Sequence, residues 1–148
     1  MITFLSEEEM IAFGERMGEL LFPHSIITLE GDLGAGKTTF TKGIGKGLGI
    51  QRVINSPTFT IVKIYQGRLC LYHFDAYRLE GQNEELGFEE MFEDEGVCVI
   101  EWPHFIENIL PKERLEITIT KNDDQTRCFS FKAIGQQYED LMKEMKIC

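Results

Sequence analysis

The residues that say most about chemistry lie just after position 30. Gly31-Asp32-Leu33-Gly34-Ala35-Gly36-Lys37-Thr38 fills every fixed position of the pattern G-x-x-x-x-G-K-[ST]. Glycines let successive backbone N–H groups curl around a phosphate with no Cβ in the way. A lysine after the last glycine reaches the β- and γ-phosphates of a nucleotide, and the following hydroxyl ligates Mg²⁺. The pattern carries this meaning only where a strand precedes it and a helix opens at its end, because the unpaired N–H groups of that helix and its positive dipole end then face the same phosphates. Positions 25–30 read as a short, β-branched, buried strand, and positions 37–48 as a helix closed by Gly49. The candidate nucleotide contacts are therefore Asp32, Leu33, Gly34, Ala35, Gly36, Lys37, Thr38 and Thr39.

Such a loop needs an acid at the end of a neighbouring strand to share the Mg²⁺ with the loop hydroxyl. Val97-Cys98-Val99-Ile100-Glu101 has that form: four apolar residues, as in a strand buried on both faces, and then a carboxylate. Thr38 and Glu101 are the expected metal ligands. A glutamate stands where P-loop proteins usually carry aspartate, and a solvated strand end is the other reading of Glu101.

The remaining elements must position these groups. Ser6-Glu7-Glu8-Glu9 is a capping box, with Ser at the N-cap and Glu three residues on. Met10, Phe13, Met17 and Leu20 follow at helical spacing, so a helix is expected over 7–21, ended by Pro23. Positions 58–65 and 68–74 read as a hairpin about Gln66-Gly67. Positions 83–92 read as a short acidic helix. Positions 115–120 and 128–133 read as strands joined by a polar turn at Asn122-Asp123-Asp124, and 136–146 as a closing helix. Strands alternating with helices around a glycine loop, plus an antiparallel hairpin, predict an α/β fold: a P-loop NTPase-like three-layer domain with a mixed sheet, spanning 1–148 as one domain.

Composition is consistent with this. The chain has 148 residues, 43% hydrophobic and 27% charged, which is ordinary for a globular domain. No apolar run approaches the roughly 18 residues of a membrane span. Polar and acidic residues at 6–9 stand where a signal peptide would turn apolar, so a cytoplasmic protein is expected. Cys70, Cys98, Cys128 and Cys148 form no C-x-x-C and read as reduced thiols rather than a zinc site or a disulfide framework. The net charge of −10 argues against a free-standing nucleic-acid binder. Seven acids and no base fall between Asn83 and Glu95, either a solvated face or a docking face for a basic partner.

Three further segments narrow the class. Ser56-Pro57-Thr58-Phe59 precedes the expected hairpin, Tyr72-His73-Phe74-Asp75-Ala76-Tyr77-Arg78-Leu79 closes it, and Glu101-Trp102-Pro103 closes the apolar strand. With the glycine loop, these motifs resemble the TsaE family of small bacterial P-loop ATPases over 31–103, about half the chain. The resemblance implies binding of ATP and Mg²⁺, slow hydrolysis by the isolated chain, and work alongside a TsaD–TsaB pair in making threonylcarbamoyladenosine in tRNA. The transfer itself would belong to TsaD, and tRNA would be met only through that complex. No membrane contact is implied. By motif, Lys37, Thr58, Asp75 and Glu101 would carry the catalytic roles. Thr58 would act in a switch-like loop, Asp75 near the γ-phosphate and Mg²⁺, and Trp102 beside the site. The segment before the first helix would lie near the nucleotide, pointing to Ser6 or Glu7, with Arg127 a further contact.

Read as residues alone, several of these positions have plainer explanations. Asp75 could accept a proton from an attacking water or simply cap the turn after it. Thr58 could begin a strand, Trp102 could pack, and Arg78 could bind phosphate or a surface acid. His73 reads as a core or edge-strand residue. Three alternatives to a partner-coupled ATPase are a non-catalytic nucleotide-dependent binding module, a GTPase and a small-molecule kinase. Thr120-Lys121-Asn122-Asp123 fits the guanine pattern [NT]-K-x-D, but a D-x-x-G companion is missing where Glu101-Trp102-Pro103 stands. The six arginines are too scattered for a kinase lid.

Overall fold

The β-branched run at 26–29 and the apolar run at 97–100 demand cover on both faces, and the fold sets them side by side at the centre of one sheet. The structure, a computed structural model, describes residues 1–32, 34–55, 61–79 and 88–147, with the side chains of 78 and 79 not included. Seven strands are ordered β1-β7-β6-β2-β5-β4-β3. They are β1 (Ile2–Phe4), β2 (Ile26–Glu30), β3 (Val62–Tyr65), β4 (Leu71–Asp75), β5 (Val97–Glu101), β6 (Arg114–Lys121) and β7 (Arg127–Ile134). Among the described residues the α-helices are α1 (Glu7–Leu20), α2 (Lys37–Gly47), α3 (Phe88–Glu93) and α4 (Gln136–Glu144). Strand β2 pairs in parallel with β5 and β6, and β4 in parallel with β5, while the outer pairs are antiparallel. This is the expected α/β architecture with a mixed sheet.

Alternation along each strand divides the core. Ile27, Leu29, Val97, Val99, Leu115 and Ile117 pack with Met17 of α1 and Phe40 and Ile44 of α2. On the other face Tyr72, Phe74, Cys98 and Ile100 pack with Phe88 and Phe92 of α3 and with Ile106. Helices α1 and α2 meet almost backbone to backbone. A Cβ at Gly18 would stand 2.3 Å from the Ile44 carbonyl oxygen, and one at Gly43 2.4 Å from that of Ile11. Small residues four apart on each helix, Gly14 and Gly18 against Gly43 and Gly47, allow this approach. The helix behind the glycine loop is thereby fixed against the helix whose N-terminus faces the loop.

Several expectations are corrected. Strand β1, absent from the sequence reading, pairs with β7 at one edge of the sheet. The hairpin does not turn at Gln66-Gly67: Tyr65 pairs with Leu71, so residues 66–70 connect the strands. Arg68 explains the wider turn. Its N–H donates to the Leu48 carbonyl, and its guanidinium donates to the carbonyls of Gly18 (2.8 Å) and Leu21 (3.1 Å) at the end of α1. The acidic helix is described from Phe88 to Glu93, and 83–87 lie outside the described residues. Two 3-10 segments, Ala76–Leu79 and Pro103–Ile109, were not anticipated. Among the described residues, Cys70, Cys98 and Cys128 are free, and burial pushes the Cys98 thiol up to about 12. Among those residues no helix is long and apolar enough to cross a membrane.

Candidate functional site

The site lies at the carboxyl ends of β2, β4 and β5, where parallel strands of an open sheet leave a crevice. Its floor is the loop between β2 and α2. Gly34 and Gly36 have φ of 79° and 113°, values open to glycine and costly for other residues. These two residues bend the chain so that α2 begins at Lys37, where the first-turn N–H groups have no partner within the helix. No acid stands in that first turn. A phosphate is the ligand that such a positive, donor-rich end accepts best.

Around the loop is a cavity of about 310 Å³, lined by Glu7 and Met10 of α1, residues 34–39, Asp75, Glu101, Trp102 and Arg127. The size is at the lower end of ordinary ligand pockets. Lys37 is buried, at 6% exposure, and its ammonium folds back onto the loop: it donates to the Gly31 carbonyl and, at 3.2 Å, to that of Asp32. Its Nζ also lies 4.1 Å from the centre of the Trp102 ring, a cation–π contact. Trp102 adopts a left-handed backbone, φ 59°, costly for a residue with a Cβ. This conformation follows directly on Glu101 and leaves the indole over the lysine. Burial pulls the Lys37 ammonium below its usual range, and the charges of Glu101, Asp32 and Asp75 oppose that shift.

Glu101 ends β5 at 5% exposure, beside Asp75, its register partner on β4. The Thr38 hydroxyl stands 3.4 Å from Glu101 Oε2. A hydroxyl and a carboxylate this close form a hard-oxygen pair, the donor chemistry Mg²⁺ takes. Among the described residues no group of three His, Cys, Asp or Glu side chains could hold a metal alone. Asp75 accepts from the Tyr77 N–H at 3.2 Å, so it does close the turn after β4, as well as lining the cavity.

The remaining candidates divide. Glu7 lines the cavity, whereas the Ser6 hydroxyl is occupied in capping α1, accepting from the Glu9 N–H. Arg127 reaches the loop from β7: its Nε donates to the Ala35 carbonyl at 2.8 Å and a terminal nitrogen to that of Gly34 at 3.4 Å. Leu33, Thr58 and the Arg78 side chain lie outside the described residues. Asn122 of the guanine-like tetrapeptide is engaged in its own turn, bonding Thr126 through both backbone and side chain, and none of the four residues lines the cavity. His73, read as a core or edge-strand residue, is fully buried yet points Nε2 at Glu101 Oε2, 2.6 Å away. Only the pairing of β4 with β5 brings the two together, so no local signal marked it. Met10 was legible as a core position but also forms a wall of the cavity.

A parallel strand, a glycine loop and a helix opening on an oxygen-lined crevice define the P-loop class of α/β domain. Comparison with known proteins narrows this further. Residues 4–129 match the model of the family described as threonylcarbamoyl adenosine biosynthesis protein TsaE, and the chain belongs to that family. It is 51% identical over 142 residues to the tRNA threonylcarbamoyladenosine biosynthesis protein TsaE of Bacillus subtilis, covering 95% of this chain and 90% of that one. The protein of the same name from Treponema pallidum is 42% identical over 124 residues, covering 82% of this chain and 92% of the other. A crystal structure of YdiB from Bacillus subtilis superposes with a TM-score of 0.86 at 44% identity, covering 98% of this chain and 92% of that one.

Proposed function

We propose that this chain binds ATP with Mg²⁺, hydrolyses it slowly, and uses that cycle to support a TsaD–TsaB complex in threonylcarbamoyladenosine modification of tRNA, without performing the transfer itself. The observation that carries the reading is the cavity in which a glycine loop at a helix N-terminus meets Lys37, Thr38, Asp75 and Glu101. The family's printed role in threonylcarbamoyladenosine biosynthesis supplies the biological setting.

In this reading the loop N–H groups and Lys37 bind the phosphates. Lys37 exchanges two backbone carbonyls for phosphate oxygens, and the Trp102 ring beside it loses its cation. Thr38 and Glu101 would hold Mg²⁺. Bound there, the ion would offset charge on the β- and γ-phosphate oxygens. Asp75 orients the water that attacks the γ-phosphorus and accepts its proton as the bond to the β-phosphate bridging oxygen breaks. Glu7 and Arg127 flank the nucleotide, and Thr58 acts in a switch-like loop that ATP orders and hydrolysis releases. Among the described residues the arginine that lines the cavity, Arg127, donates to the Ala35 and Gly34 carbonyls; turnover by the isolated chain is slow in this reading because transition-state charge is incompletely met.

The test is ATP hydrolysis by the purified chain with Mg²⁺, alone and with added TsaD–TsaB, with Lys37→Ala as blank. Turnover below about one per second, rising with the pair, is expected. Glu101→Ala should impair metal-dependent hydrolysis more than nucleotide binding. Normal hydrolysis by Glu101→Ala refutes the metal assignment, and fast turnover indifferent to the pair refutes the partner-coupled reading.

A further inference from the structure

His73 is the one fully buried imidazole on the described part of the sheet, and its placement is hard to explain as packing. It sits on β4 between Leu71, which is core, and Asp75, which lines the cavity. Its exposure is 0%. Nδ1 has no hydrogen-bond partner among the described residues. Buried polar atoms are nearly always partnered, and an orphaned ring nitrogen costs stability that a leucine or phenylalanine at this position would not. The other nitrogen supplies the reason for a histidine. Nε2 stands 2.6 Å from Glu101 Oε2, the same oxygen that the Thr38 hydroxyl approaches at 3.4 Å. A carboxylate that holds a metal ion is ionised and only accepts, so in the reading of Glu101 as a metal ligand the donor of this bond is Nε2–H.

The frame around this bond is rigid. Strands β4 and β5 are in register from Leu71↔Val97 to Asp75↔Glu101, so both partners are fixed by ladder hydrogen bonds rather than by a loop. Glu101 is almost as buried as His73, and a buried carboxylate needs donors. A neighbour that donates to a metal-ligating carboxylate fixes its orientation, and losing such a neighbour costs metal affinity.

We propose that His73 is a positioning residue for Glu101. Its Nε2–H holds the carboxylate in the orientation that meets Thr38 and lines the cavity. Affinity for Mg²⁺ at the nucleotide site thus depends on a side chain that faces neither nucleotide nor metal. The proposal rests on the reading of Thr38 and Glu101 as the Mg²⁺ pair.

The test is calorimetric titration of the full chain with adenylyl imidodiphosphate, a non-hydrolysable ATP analogue, across a Mg²⁺ series and in EDTA. Three chains are compared: wild type, His73→Leu, and His73→Gln, whose amide can occupy the place of Nε2–H. For His73→Leu the Mg²⁺ concentration at half-maximal effect should rise roughly tenfold to a hundredfold. Affinity in EDTA should stay within about twofold, and His73→Gln should recover most of the Mg²⁺ response. In a Glu101→Gln background, His73→Leu should add little further. Where His73→Leu does not fold, His73→Asn, too short to reach Glu101, stands in for it against His73→Gln. An unchanged Mg²⁺ midpoint in His73→Leu, an equal loss in EDTA, or a Gln variant no better than Leu overturns the proposal and leaves the nucleotide reading intact. A wild type with no Mg²⁺-dependent binding overturns both.

Discussion

Gly43→Ala should destabilise this protein although it improves a helix. Gly43 lies in the interior of α2, where alanine is intrinsically favoured over glycine by about 1 kcal/mol. The new Cβ, however, would stand 2.4 Å from the Ile11 carbonyl oxygen and 3.0 Å from the Gly14 Cα. Those atoms belong to the backbone of α1 and cannot swing aside, so the helices must part by about 1 Å to restore ordinary contact. Overpacking costs about 1–3 kcal/mol, and a backbone obstacle places this case at the upper end. The net loss is then about 2 kcal/mol, or about 4–8 °C in Tm for a chain of this size. Gly45→Ala in the same helix is the control. Its Cβ would meet the terminal Cδ1 of Ile54, which can rotate away. Urea and thermal unfolding of both variants measure the difference. If Gly43→Ala matches or exceeds wild type in stability, or costs no more than Gly45→Ala, the close approach of α1 and α2 does not constrain the fold as argued.

Two further outcomes are expected. Arg68→Ala should cost about 1–3 kcal/mol in urea unfolding, because it takes a charged donor from the part-buried carbonyls of Gly18 and Leu21 at the end of α1; no loss would show that the wide 66–70 turn is held otherwise. Lys37→Met should change the pH dependence of stability in a set direction. Burial lowers the folded-state pKa of Lys37 from 10.5, so just below 10.5 the unfolded chain binds the extra proton and stability rises with pH. The stability of wild type relative to Lys37→Met should climb with pH between the lowered folded-state pKa and 10.5, and a flat difference contradicts the burial argument.

Much of this protein was legible in the residues because the relevant signals are local. The glycine loop declares itself by spacing, since a phosphate cradle needs glycines at set positions followed by a helix. The capping box at Ser6 and the buried run ending at Glu101 are equally local, and the four ordered motifs from 31 to 103 suffice to place the family. The tertiary structure decided what depends on distant pairing. Strand β1 has three residues and exists because β7 offers it an edge. The hairpin turn widened because Arg68 is drawn to the ends of α1 and α2 rather than to its own strands. Arg127 was expected as a nucleotide contact, but only β7 brings its guanidinium to the loop carbonyls. His73 and Glu101 lie 28 residues apart, and neither one's neighbours in sequence reveal the contact. Residue type and spacing therefore determined the family and the chemistry proposed for the chain. The sheet register determined which side chains stand beside one another at the site, because hydrogen bonds between strands fix neighbours that sequence distance conceals.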